Sequence, residues 1–287
     1  MSAPAPRTRL PPGFPASWAC AWGQDRSGLW QAFALDGVVQ RLRWLPPGEF
    51  RMGSPAGEPE REPFGHDETR HPVVLTRGLW LADTACTQAL WQAVLGETPS
   101  RFQGGERPVE RVSWEDVVER FLPALNARLP GLEARLPSEA EWEYGCRAGT
   151  ETPFAFGATI TTGQVNFDGN YPYAGAPKGE YREQTVEVKA LPANAWGLYQ
   201  MHGNVYEWCA DWLGDYPREA VVDPTGPAAG RERVLRGGGW YASARWCRSA
   251  ARLASGPGHR DGYIGFRLAR GPSPGPQDQA GGAGEAG

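Results

Sequence analysis

The chain is almost without lysine: Lys178 and Lys189 are the only two in 287 residues. Arginine carries nearly all the positive charge, no Lys/Arg run forms a polybasic patch, and the net charge is −4. A nucleic-acid surface needs a positive stripe, so no nucleic acid is expected as a partner. Long apolar runs are missing as well, and nothing approaches the ~20 residues of a membrane span. The opening stretch, MSAPAPRTRLPPGFPASWACAW, is broken by prolines where a signal peptide keeps an unbroken apolar core. These absences point to a cytoplasmic protein with no membrane contact.

Cysteine and histidine are equally sparse. Cys20, Cys86, Cys146, Cys209 and Cys247 are odd in number, widely spaced and contain no CxxC pair, which argues against a disulfide framework or a structural zinc site. The four histidines, His66, His71, His202 and His259, include no HExxH. His66, Asp67, Glu68 and His71 can be drawn as a metal-binding facial triad. The plainer reading is that GEPEREPFGHDETRHP is a solvated acidic loop in which His71 orders the turn before the strand VVLT. No segment repeats at a fixed period, which excludes solenoids and propellers.

What the chain does have is apolar and aromatic content, 40% hydrophobic residues with 13 Trp, enough for a sizeable core. Its 38 Gly and 27 Pro are spread between aromatic-rich segments, so the fold is expected to be rich in loops. LWQAFAL and VVQRLRWL flank Asp36-Gly37 and predict a hairpin. Three helices carry start signals. One opens at Thr87 and runs through QALWQAVL to Gly96. A second opens at Ser113 and places Val117, Val118, Phe121, Leu122 and Leu125 on one side, with Pro123 expected to distort it. A third opens at Ser138, with Glu141 completing a capping box. From Thr150 to Arg270 helical signals stop and turns take over. The pattern predicts an α+β fold of short antiparallel strands, a few helices and long ordered loops. One domain is expected over residues 18–270, between a disordered N-terminus (1–17) and a disordered tail (271–287).

Several phrases then occur in a fixed order: FRMGSPAGEPEREPFGHDETRHPVVLTRGLWLADTACTQALWQAVLG, RPVERVSWEDVVERF, RLPSEAEWEYGCRAG, WGLYQMHGNVYEWCADW, RVLRGGGW, RSAAR and IGFRLAR. Together, over about residues 44–270, they resemble the formylglycine-generating-enzyme (sulfatase-modifying-factor) family. The resemblance implies a C-type-lectin-like fold. The family's enzymes oxidise a cysteine in a target peptide, using copper and two active-site cysteines between the RGG turn and the AAR phrase. Here that interval is GWYASARWC, shorter than in the enzymes, and holds only Cys247. The catalytic pair is absent, so no enzyme is expected. The alternative is a divergent oxidoreductase using Cys247, whose thiolate Arg245 and Arg248 would favour. Cys247 reads better as a small buried hydrophobe on a strand, and Cys209 likewise.

YQMHGNVYEW resembles the segment in which family members bind structural Ca²⁺. The resemblance places ligands at the Gln200 side chain, the Gly203 and Val205 backbone carbonyls and Glu207, with Gln200 standing where the family carries Asn or Asp. The other reading of Glu207 is that it accepts hydrogen bonds from backbone amides and arginines. Asn166 and the Phe167 carbonyl resemble part of a second calcium site without a carboxylate partner.

RGGGW reads as a tight turn between strands in preference to a phosphate cradle. Within Arg233–Arg270 the family scaffold accounts for Arg236, Gly237, Gly238, Trp240, Arg248, Ser249, Ala250, Arg252, Arg260, Ile264, Gly265, Phe266 and Arg267. Between them lie Gly239, Tyr241, Ala242, Ser243, Trp246, Ala251, Leu253, Ala254, Ser255, Gly256, His259, Asp261, Gly262 and Tyr263. Many family members carry asparagines at these interleaved positions; here there are none. That departure resembles the variable proteins of diversity-generating retroelements, whose C-terminal segment is rewritten at adenines. An asparagine codon so altered gives Tyr, Ala, Ser, Leu, Gly, His or Asp but never Lys, Glu, Gln or Met, and residues 239–263 contain none of those four. Trp246 lies outside such a codon's reach. The expectation is a ligand-binding protein that presents the interleaved positions to a protein or glycan as a monomer, with Tyr241, Trp246, His259, Asp261 and Tyr263 making the contacts.

Overall fold

The computed structural model describes residues 10–61 and 66–271. Strand β1 (Ala21–Asp25) leads into β2 (Gly28–Leu35) and β3 (Val38–Leu45), the expected hairpin. Its turn residues Asp36 and Gly37 both have positive φ, 49° and 81°, which suits the right-handed twist of the two strands. Next come β4 (Gly48–Met52), β5 (His71–Leu75) and β6 (Leu79–Ala82).

Helix α1 (Gln88–Leu95) is capped by the Thr87 hydroxyl, which accepts the Leu90 amide, and closed by left-handed Gly96. The segment after Ser113 is a π-helical turn, Asp116–Phe121, running into α2 (Leu122–Arg128). Pro123, at the start of α2, has no amide to give the preceding turn, and the widened turn absorbs that loss. Val117, Phe121, Leu122 and Leu125 are buried as expected, while Val118 is half-buried. After β7 (Ala134–Arg135), α3 (Glu139–Arg147) begins with the complete Ser138/Glu141 capping box.

No α-helix follows among the described residues. The rest is 3₁₀ turns at Tyr173–Gly175 and Ala244–Cys247, with strands β8 (Tyr206–Trp212), β9 (Val221–Val222), β10 (Arg233–Arg236), β11 (Arg252–Ser255), β12 (Ile264–Gly265) and β13 (Ala269–Arg270).

Three sheets result, with strand orders β1-β2-β3-β6-β13-β7, β11-β10-β8-β12 and β4-β5-β9. The fold is therefore α+β, as expected. One core lies between the first sheet, α1 and the α2 region, where Trp91 stacks on Phe121 at 5.0 Å and Phe266 meets both edge-on. A second surrounds Trp142 and Tyr144 of α3, which packs on β4, β8 and β10. Because β13 sits inside the first sheet and β10, β11 and β12 in the second, the end of the chain is woven into both.

Contacts with the sheet begin before residue 18, the expected start of the domain. Phe14 stacks on Trp80 at 5.6 Å, and the Ala16 amide donates to Gln31 Oε1 at 3.1 Å. Residues 1–9 and 272–287, parts of the expected disordered ends, lie outside the described residues. Among the described residues no helix is long and apolar enough to cross a membrane.

Candidate functional site in the closing segment

Five arginines fasten the closing segment, each to a carboxylate from far upstream. Arg236, at the end of β10, is fully buried and donates to Glu143 of α3 and to the Ser249 and Ala251 carbonyls. Arg248 reaches Glu58 at 2.7 Å and holds Glu68 with two bonds of 2.8 Å. Arg252 grips Glu139 at 2.7 and 2.8 Å, Arg260 grips Asp116 at 2.6 and 2.7 Å, and Arg267 grips Glu207 at 2.6 and 2.7 Å.

A buried charge is tolerated only when paired, and the planar fork of arginine matches a carboxylate bidentately. Burial pushes the Glu139 carboxyl up, but Arg252 and Arg236 beside it outweigh that and leave it below its ordinary range. Asp116 behaves alike: partial burial raises it, and the hydrogen bonds from Arg260 and Ser113 more than reverse the effect.

These pairs revise the reading of the acidic loop. Glu58 and Glu68 are buried, 8% and 3% exposed, as the carboxylates of Arg248. They are not solvated, because the Arg248 guanidinium is itself buried and needs them. Nor do His66, Asp67, Glu68 and His71 converge as ligands: Asp67 accepts from Thr69 and the Tyr216 amide, and His71 Nδ1 lies 2.8 Å from the Thr69 carbonyl, ordering the turn.

Between the arginines, the interleaved positions divide. Tyr241 is 38% exposed and its ring lies 4.4 Å from that of half-buried Tyr263. Asp261 sits beside this pair and acts electrostatically on both phenols. His259 is exposed on a turn closed by its amide to the Gly256 carbonyl, and the Glu115 amide donates to Pro257 next to it. Trp246 is half-buried beneath Arg245, whose guanidinium carbon lies 5.1 Å from the ring centroid. Leu253, Ala254 and Ser255 lie half-buried on β11, an edge strand; Ser243 and Gly256 are half-buried too.

Gly239, Ala242, Ala251 and Gly262, by contrast, are buried and present no side chain, which corrects their expected place on the surface. Their backbones are committed: Ala242 O accepts the Asp168 amide, Ala251 O accepts Arg236, and Gly262 O accepts Trp240 Nε1. A Cβ on Gly239 would come within 3.4 Å of both Tyr206 and Tyr263.

The structure joins Tyr241 and Tyr263 to residues that the sequence reading did not assign to the surface. Half-buried Trp240 meets Tyr241 at 5.6 Å, Phe102 edge-on at 5.3 Å and Tyr181 at 6.2 Å. Tyr171, 64% exposed, is tied to the closing segment by its backbone, its carbonyl accepting the Ala244 amide. Tyr171 and Tyr181 both lie in the loop NFDGNYPYAGAPKGEY, whose other tyrosine, Tyr173, is buried against Phe154 at 5.0 Å, and no period in the sequence separates these two from the buried one.

All the thiols but that of Cys20 are sequestered. Cys247 is fully buried in the 3₁₀ turn Ala244–Cys247, not on a strand as expected, and burial pushes its thiol well up. Gly238, at φ 79°, leaves it room, for a Cβ there would stand 2.5 Å from its Sγ. Burial also pushes the Cys146 thiol up to about 12. Nearby His202 accepts the Ala155 amide on Nε2 and therefore donates from Nδ1 to the Cys247 carbonyl at 2.7 Å. Burial lowers its pKa to about 4, so it is neutral. A neutral imidazole and raised thiols form no activated nucleophile near neutral pH. Cys209 is fully buried as expected.

The expected calcium ligands do not fit a cation. Both Glu207 oxygens hold Arg267, and one also accepts Trp142 Nε1 at 2.7 Å. Gln200 is engaged through Oε1 with Asn204 and through Nε2 with the Glu187 carbonyl at 2.8 Å. Of the two expected carbonyl ligands, that of Gly203 accepts the Val205 amide at 3.0 Å. With a fully buried guanidinium on the one carboxylate of the set, a divalent cation would face uncompensated repulsion. Asn166 is likewise turned to protein, donating to the Gln184 carbonyl and Asn204.

This architecture has relatives. The chain is 34% identical over 228 residues to the formylglycine-generating enzyme of Streptomyces coelicolor, covering 73% of this chain and 70% of that one. It is 32% identical to the mouse formylglycine-generating enzyme over 69% of this chain, and spans about half of that longer protein, 53%. Among solved structures, Treponema denticola variable protein 1 superimposes with a TM-score of 0.71 at 27% identity, over 85% of this chain and 99% of that one. PvdO from Pseudomonas aeruginosa does so at 0.67, also 27% identical, over 88% and 98%. These matches carry the C-type-lectin-like fold. The model of the sulfatase-modifying factor enzyme 1-like domain matches residues 36–272, and the chain belongs to that family.

Proposed function

We propose that the protein is a non-catalytic binding protein of the diversity-generating-retroelement type, which meets a protein or glycan ligand through its closing segment and the adjoining aromatic loops. The observation that carries this reading is the alternation along Arg233–Arg270. Arginines fastened to distant carboxylates hold the backbone, while Tyr241, Tyr263, Trp246, Asp261 and His259 keep full or partial exposure between them. Tyr263 and Trp246 pack one side on the core and keep part of the ring exposed, whereas Tyr241, Asp261 and His259 can vary without unfolding the scaffold. Tyr and Trp offer large contact areas at low entropic cost. The likeness to Treponema denticola variable protein 1 supports the same reading.

A near-copy of the DNA encoding residues 233–270, differing at adenines and lying beside a reverse-transcriptase gene, is the expected genomic finding. Its absence rejects diversification and leaves a binding surface of fixed sequence.

The names of the sequence relatives favour a second reading, a copper-dependent oxidase that uses Cys247. Buried Cys247, with its raised thiol and no second cysteine between residues 233 and 270, argues against it. Copper-dependent oxidation of a cysteine-containing peptide, abolished by Cys247→Ser, would establish the oxidase and overturn the proposal.

A further inference from the structure

A groove of about 1080 Å³ lies apart from the closing segment, between the first strands and the loop 189–199. Its walls are the β1–β2 turn (Asp25, Arg26, Ser27), Arg41 and Arg43 of β3, and the loop from Lys189 to Tyr199. The volume is that of a small-molecule site. In a protein of net charge −4, four cations line it, Arg26, Arg41, Arg43 and Lys189, and Asp25 is the one carboxylate among the described lining residues.

Arg43 is the built part of this groove. Its side chain is 7% exposed, it donates to Asp25 at 2.7 Å, and its Nε is buried without a hydrogen-bond partner. Gly197, at φ 74°, is required beside it, since a Cβ there would stand 2.7 Å from that Nε. Lys189, 51% exposed, lies 3.0 Å from buried Asp83 and 5.6 Å from the Tyr199 ring centroid. Arg41 lies over Trp30 at 4.1 Å, and neither it nor exposed Arg26 forms a salt bridge among the described residues. Two guanidinium groups without salt-bridge partners, next to a buried third one, leave positive charge that a multivalent anion neutralises, and guanidinium forks match phosphate and carboxylate alike.

We propose that this groove binds a small multivalent anion carrying phosphate or carboxylate groups, held by Arg26, Arg41 and Lys189 above the buried Arg43. The test is calorimetric titration of the full chain with pyrophosphate and, separately, citrate, at ionic strength held constant with chloride. Saturable binding of at least one anion is expected; stronger binding of pyrophosphate identifies the phosphate group, and stronger binding of citrate the carboxylate. The Arg26→Gln/Arg41→Gln variant should bind about tenfold more weakly or worse, equivalent to about 1.4 kcal/mol. Both side chains reach solvent, so the variant folds and its melting temperature verifies this. Lys189→Gln, read independently, should also weaken binding. No saturable binding of either anion, or unchanged affinity in both variants, overturns the proposal.

Discussion

Replacing Glu207 by glutamine separates the ion-pair reading of this residue from the calcium reading. In the structure the Glu207 carboxylate is 1% exposed, receives two bonds from the wholly buried Arg267 and a third from Trp142. Glutamine keeps one acceptor oxygen and removes the charge. Arg267 is left inside the core with neutral acceptors alone, the amide oxygen and the Ala82 and Tyr199 carbonyls, at 3.1 and 3.0 Å. Breaking a buried pair from one side costs about 3–5 kcal/mol. For a domain of this size that lowers the melting temperature by roughly 6–20 °C. Glu207→Gln/Arg267→Met removes both charges and should recover part of the loss. The assay is thermal unfolding followed by circular dichroism, with calcium and with EGTA. Wild type should melt at the same temperature in both. A calcium-dependent rise that Glu207→Gln abolishes, or a Glu207→Gln protein as stable as wild type, refutes the reasoning.

Asp211 offers a pH test. Burial, reinforced by Glu139, raises its pKa to about 8, while its Oδ2 accepts the Glu139 amide at the start of α3. Because the folded state holds this proton more tightly than the unfolded chain, its stabilisation is complete below about pH 4 and is lost as pH rises through about 8. Asp211→Asn keeps the acceptor and removes the titration. Its stability relative to wild type should climb between pH 5 and 8, at most by about 1.4 kcal/mol per unit, and a difference independent of pH would disprove the assignment. Of the five cysteines only Cys20 is exposed, so a thiol-specific disulfide reagent should titrate one thiol in the native protein and five after unfolding; rapid labelling of Cys247 would contradict its burial. Tyr241→Ala should cost about 1 kcal/mol or less, whereas Tyr206→Ala, at a residue 4% exposed, should cost about 3–5 kcal/mol; equal losses in denaturant titrations would mean that Tyr241 is core.

Local signals were legible in the sequence because they act over a few residues. Thr87, Ser138 with Glu141, and Asp36-Gly37 do in the fold what their spacing predicts. Pro123 also distorts its helix, though the form of the distortion, a π-turn, depends on which amide goes unused. The ordered family phrases led to the fold for a related reason, since they preserve the residues that make these turns, caps and buried contacts. Exposure within the closing segment was less legible. Ala242 and Ala251 look like their displayed neighbours in sequence, but their carbonyls serve Asp168 and Arg236.

From the sequence alone, then, came the hairpin and helix signals, the α+β class, and a closing segment with Cys247 as its one cysteine and alternating scaffold and unassigned positions. Tertiary structure decided which carboxylate each arginine takes. Arg248 meets Glu58 across 190 positions and Arg267 meets Glu207 across 60, and no local spacing encodes such partners. The same long-range choices buried Glu58 and Glu68, committed Glu207 to a guanidinium and gathered Arg26, Arg41, Arg43 and Lys189 around one groove. Buried charge must find its opposite wherever the folded chain brings it, and that proximity exists only in three dimensions.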